Sequence, residues 1–181
     1  MKDSLVFTII GRDRPGLIES LSALVAAHDC NWLDSRMSRL AGKFAGMVQV
    51  EGDSEQLGRL QEELVAIQGL TVVAEAGEDD TAGPPVGIAI SILGLDRPGI
   101  VREVSKALVN QGLNVINLET DVSKAAMTGK LMFHGLAQVS YSKTGNIAEL
   151  TEQLDSISLE LGIDIDLEQE KGSATGGEDD S

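Results

Sequence analysis

Apolar residues at every second position, Leu5, Phe7 and Ile9, predict a half-buried strand over about 4–10. Ile88, Ile90 and Ile92 predict its counterpart over about 87–93. After each strand the spacing lengthens to three and four. Ile18, Leu21 and Val25, and then Val101, Val104 and Leu108, each make one face of a helix, over about 15–28 and 98–111. "NWLDSRMSRL" and "KFAGMVQV" read as two strands joined through Ala41-Gly42, a tight turn. "LNVINLETDVS" and "KLMFHGLAQVSY" repeat that pair with a longer "KAAMTG" between them. A second helix follows over about 54–68 and 146–161, and a last strand over about 70–75 and 163–168.

The two halves are copies. Leu5, Phe7 and Ile9 fall on Ile88, Ile90 and Ile92 at an offset of 83, and Asn31 falls on Asn114 at the same offset. The offset grows to 90 where Leu57, Leu60, Leu64 and Ile67 match Ile147, Leu150, Leu154 and Ile157, and to 93 for Leu70 and Val72 against Ile163 and Ile165. It changes only where loops are expected. Each copy reads βαββαβ, the split βαβ or ferredoxin-like order. The predicted fold class is therefore α+β: two ferredoxin-like domains, each a four-stranded antiparallel sheet with two helices on one face. The other face carries Val6, Thr8 and Ile10 in one copy and Gly87, Ala89, Ser91 and Leu93 in the other, which suggests partial burial against another domain or subunit.

Between strand and helix the copies share "GRDRPGLIESL" and "GLDRPGIVREV". Proline suits the first helical position, and it pushes the preceding Arg14 or Arg97 into an extended conformation. The helix is thus expected to begin at Pro-Gly. Gly16 and Gly99 leave the first-turn N–H groups unshielded, and such a helix start attracts carboxylates. A plain structural role stays open, with Asp13 and Asp96 capping the helix and Gly permitting close packing. Asn31 and Asn114 open the next strand, near the far end of their own sheet.

The chain has 181 residues and a net charge of −15, from 14 basic and 29 acidic residues. No basic stripe stands out, so direct nucleic-acid binding and docking to an anionic membrane are not expected. No apolar run approaches the roughly 20 residues of a membrane span. The N-terminus reads as a strand and not a signal peptide. The single Cys30 excludes an internal disulfide and fits a cytoplasmic location. "EAGEDDTAGPP" and "EQEKGSATGGEDDS" are too polar to repay ordering. The expected divisions are a first domain over 1–76, a linker over 77–85, a second domain over 86–168 and a disordered acidic tail over 169–181.

Catalytic readings are weak. "HDC" at 28–30 has no counterpart in the second copy, where Gln111, Gly112 and Leu113 stand, and adjacent residues point in different directions. Two histidines and one cysteine give no metal-ligand spacing. "AGKFAG" lacks the phosphate-loop spacing, and no cofactor is expected. "DIDLE" at 164–168 reads as strand alternation with its acids outward. Trp32 is expected at an interface, because Val115 replaces it in the second copy.

The segments "FTIIGRDRPGLIESLSALVAAHDCNW" and "ISILGLDRPGIVREVSKALVNQGLNV" resemble the opening of ACT domains. The resemblance covers both copies. It implies a ferredoxin-like module that binds amino acids and regulates an attached or partner protein. Two such domains with nothing appended are similar to the family of glycine cleavage system transcriptional repressors. In that family ligand sites form where ACT domains pair side by side. The first loop of one domain combines with the polar residue opening the second strand of its neighbour. The resemblance thus places Asp13, Arg14, Gly16 and Asn31, and Asp96, Arg97, Gly99 and Asn114, at candidate ligand-binding sites, with no catalytic or metal residue. Glycine or serine would suit so small a pocket. A protein partner such as a DNA-bound activator would let an acidic chain repress transcription without touching DNA. A regulatory subunit that tunes a metabolic enzyme is the alternative, a purely structural module with a vestigial site is a third, and pairing into a homodimer stays open.

Overall fold

A computed structural model describes residues 2–77, 87–141 and 146–169. The chain divides into two units, Met1–Thr81 and Ala82–Ser181. The expected tail from residue 170 onward, and all of the expected linker but Gly77, lie outside the described residues. The first unit runs β1 (Asp3–Arg12), α1 (Leu17–Ala27), β2 (Asn31–Leu40), β3 (Lys43–Gly52), α2 (Ser54–Val65) and β4 (Leu70–Ala76). The second runs β5 (Gly87–Leu95), α3 (Ile100–Asn110), β6 (Leu113–Lys124), β7 (Leu131–Tyr141), α4 (Ile147–Leu161) and β8 (Ile163–Gln169). Both are βαββαβ. Their sheets are antiparallel, in the orders β2-β3-β1-β4 and β6-β7-β5-β8.

Alternation sets which residues each sheet turns toward its helices. In β1 Leu5, Phe7 and Ile9 are buried, and in β5 Ile88, Ile90 and Ile92 are. Each set joins its own core, with Leu60 and Leu64 of α2 in one and Leu150 and Leu154 of α4 in the other. Ala41 and Gly42 take φ 49° and 76°, the doubled positive φ of a type I′ two-residue hairpin turn.

Three local expectations change. Helix α1 starts at Leu17 and α3 at Ile100, so Pro15 and Pro98 lie in the turn ahead of the helix. The buried face of α1 is Leu17, Leu21 and Val25, while Ile18 and Val101 are about half and two-fifths exposed. Trp32 packs within its own unit, edge-on to Phe7 at 6.5 Å between ring centres.

Candidate functional site

The repeated corner is where β1 or β5 ends and its helix begins. Gly11 and Gly94 serve packing. A side chain on Gly11 would come within 2.8 Å of the Gly69 carbonyl, and one on Gly94 within 2.9 Å of the Ile163 backbone. The Asp13 N–H then donates to the Gly42 carbonyl at 3.2 Å, and the Asp96 N–H to the Leu131 carbonyl at 2.9 Å. These bonds fix each turn against the neighbouring hairpin.

Neither aspartate caps the helix. The N-caps are Gly16 at φ 80° and Gly99 at φ 104°, left-handed conformations that favour glycine, and neither helix start has a side-chain cap. The other two helices differ. Asp53 and Gln56 form a capping box at α2, and Asn146 Oδ1 accepts from the amides of Ala148 at 3.1 Å and Glu149 at 3.4 Å at α4. A helix leaves its first N–H groups without intrahelical acceptors, and these carry the positive end of its dipole. At the duplicated corners no side chain among the described residues caps those groups. A Cβ built on Gly16 or Gly99 would meet no heavy atom within 4 Å.

The two corners diverge in charge. The first borders a cavity of about 340 Å³ lined by Asp13, Arg14, Gly16, Ile18, Glu19 and Phe44, among others. There the Asp13 carboxylate is paired with Arg39 of β2, Nε to Oδ2 at 2.7 Å. In the second unit the residue facing Phe133 is Val122, where Phe44 faces Arg39 in the first, so Asp96 has no counterpart of that pair. Arg97 instead places its guanidinium 3.4 Å from where a Gly162 side chain would begin.

Asn31 and Asn114 stand apart from the corners of their own units. Asn31 pairs with Glu51 at the end where β1 begins, whereas the corner lies where Arg12 pairs with Lys43. Eight residue steps along β3 separate these ends, about 27 Å. The Asn31 amide donates to Glu51 Oε1 at 3.4 Å, beside the Lys2 ammonium at 3.0 Å. These hydrogen bonds, Lys2 first and then Asn31, hold the Glu51 carboxyl below its usual range. Asn114 pairs with Ser140 at the equivalent end of the second sheet.

"HDC" forms no catalytic group. His28 Nε2 lies 3.3 Å from Glu63 of α2, Asp29 occupies a turn at φ 53°, and Cys30 is buried. Burial, then Asp29 and Asp53, push the Cys30 thiol above its ordinary value. Among the described residues no three His, Cys, Asp or Glu side chains are placed to hold a metal, and no helix is long and apolar enough to cross a membrane. Three residues at the first corner were not anticipated: Ile18, Phe44 and Arg39. The recurrence of Phe44 at Phe133 was the available signal.

Two βαββαβ units, each with an uncapped glycine corner at one end of its sheet, define a tandem ferredoxin-like protein. The ACT domain family matches residues 3–74. A UPF0237 protein of Methanopyrus kandleri is 40% identical over 62 residues, 33% of this chain and 68% of that one. A UPF0237 protein of Methanococcus maripaludis is 26% identical over 83 residues, 46% of this chain and 87% of that one. The chain belongs to the ACT-domain family, whose members are regulatory modules that bind amino acids. Among solved structures, a protein of unknown function from Galdieria sulphuraria is similar at a TM-score of 0.84 and 26% identity, over 93% of this chain and 99% of that one. A candidate glycine cleavage system transcriptional repressor is similar at a TM-score of 0.69 and 19% identity, over 93% and 97%. That second likeness is one of fold.

Proposed function

We propose that the chain is an amino-acid-sensing regulator that represses glycine cleavage genes by contacting a DNA-bound activator, and that it is not an enzyme. The observation that carries the sensing role is the pair of glycine corners with uncapped first-turn amides, in a chain whose other two helices are capped. The amides after Gly16 or Gly99 would hold the carboxylate of an amino acid. An aspartate, Asp13 or Asp96, would receive its ammonium group, with Arg14 or Arg97 beside it. Asn31 and Asn114 would reach a corner only from an ACT module other than their own. Glycine and serine are the proposed ligands, in keeping with the resemblance to glycine cleavage repressors.

Asp96 is the better ammonium acceptor, because Asp13 already answers Arg39. Titration of the labelled chain with glycine and serine, followed by backbone amide resonances, tests this. Saturable shifts centred on 16–18 and 99–101 support the site. Shifts elsewhere, or none with any small amino acid, reject it. The protein-contact route is favoured by the net charge of −15, which opposes direct grip on phosphates. Recovery of a metabolic enzyme in place of a DNA-binding protein by an affinity-tagged chain would turn the reading toward an enzyme's regulatory subunit.

A further inference from the structure

The helix-free face of the second sheet differs from that of the first. Two rows cross it from edge to edge: Glu119, Leu136, Ser91 and Asp166, then Asp121, His134, Leu93 and Asp164. Each row begins and ends in a carboxylate, and Glu168 extends the acidic edge along β8. Between the edges Leu93 and Leu136 are 42% and 46% exposed, so the described residues of the second unit leave this face uncovered. A cavity of about 690 Å³ lies over the floor. No position on this face of β5, β6, β7 or β8 is Lys or Arg.

The acids are not a requirement of the fold. The same two rows in the first unit read Arg36, Met47, Thr8 and Val73, then Ser38, Ala45, Ile10 and Thr71. That sheet forms with no carboxylate in either row. Edge strands are commonly protected by charge, yet the first unit leaves these four edge positions neutral or basic, and its acids on the same face, Asp34 and Glu75, lie in the next row with Gln49 and Val6 between them.

We propose that this face is a docking trough for a basic amphipathic helix of a partner protein. Three inter-strand spacings separate the acidic edges, about 14 Å, and a helix with its side chains is about 10–12 Å across. A helix lying between the edges would set an apolar stripe on Leu93 and Leu136. Its flanking Lys and Arg would meet Glu119 and Asp121 on one side and Asp164 and Asp166 on the other. Charge complementarity selects this occupant. A second copy presenting the same face would oppose carboxylate to carboxylate, which is costly. The proposal takes from the regulatory reading only that the occupant is a protein, and it needs no amino acid at the corners.

The test uses the full chain, a fluorescent Leu/Lys amphipathic helix of about 18 residues and a scrambled peptide of the same composition, at about 0.15 M salt. The amphipathic peptide is expected to bind about tenfold more tightly than the scrambled one. Asp164→Lys with Asp166→Lys is expected to weaken it about tenfold, while Glu152→Lys with Glu160→Lys on α4 changes it less than about twofold. Asp164→Asn with Asp166→Asn serves if the lysine pair unfolds by circular dichroism. Equal binding of the two peptides, or equal loss from both reversal pairs, overturns the proposal. So does a dimer in sedimentation that Leu93→Arg dissociates. Failure here leaves any amino-acid response at the corners untouched, and the reverse holds.

Discussion

Gly16 and Gly99 hold a backbone that other residues adopt at a cost of about 1 kcal/mol. Gly99→Ala is therefore expected to lower stability by about that amount and to add a methyl beside a helix start that no side chain caps. Amino-acid affinity should fall further than stability does, a contrast that calorimetry beside a thermal melt would measure. Arg39→Ala removes a largely exposed ion pair, worth under about 1 kcal/mol, and frees Asp13. Ligand affinity at the first corner is expected to rise. Cys30 is expected to react with Ellman's reagent far more slowly in the native chain than in urea, because burial disfavours its thiolate. Its folded pKa lies above the unfolded one, so this contribution is whole below the unfolded value and is lost as pH rises through the folded value. The corner residues were legible because the motif occurs twice. Arg39 was not, since nothing along the chain tells which hairpin residue folds over a turn more than twenty positions earlier.

Helix starts divide into two kinds, and the division has a measurable consequence. Asn146 accepts two amides at α4, so Asn146→Ala is expected to cost about 1 kcal/mol of stability, read from the shift of a denaturation midpoint. Elements themselves were readable from period alone: every strand and helix lies where alternation or three-four spacing put it. Their ends were not. Proline fits a first helical turn, but the left-handed glycine after it makes that glycine the cap and delays the helix to Leu17. The same shift explains why Leu17 is buried and Ile18 is left beside the corner. Trp32 has a packing partner that the repeat did not reveal. Its absence from the second copy said nothing about where it packs, and Phe7, two strands away in the same sheet, accepts it.

Duplication gives two cores, and each half of the chain carries the means to fold its own. Leu60→Ala, at a position fully buried in the first, is expected to cost about 2–5 kcal/mol. The copies have kept their corners and diverged on their open faces, where the second sheet carries acids at both edges of two adjacent rows and the first does so in a single different row, from Asp34 to Glu75. Antiparallel order, helix placement and the corner itself were written in periodicity and repetition. The acid rows were visible only as an alternating "DIDLE" until pairing set them opposite Glu119 and Asp121. Whether the corners sense a metabolite is decided by titration calorimetry of the full chain with glycine, serine and larger amino acids. Saturable heat is expected for the small ones, with the response reduced more by Asp96→Ala than by Asp13→Ala. Heat for none of them, or heat that both substitutions leave unchanged, would contradict the account.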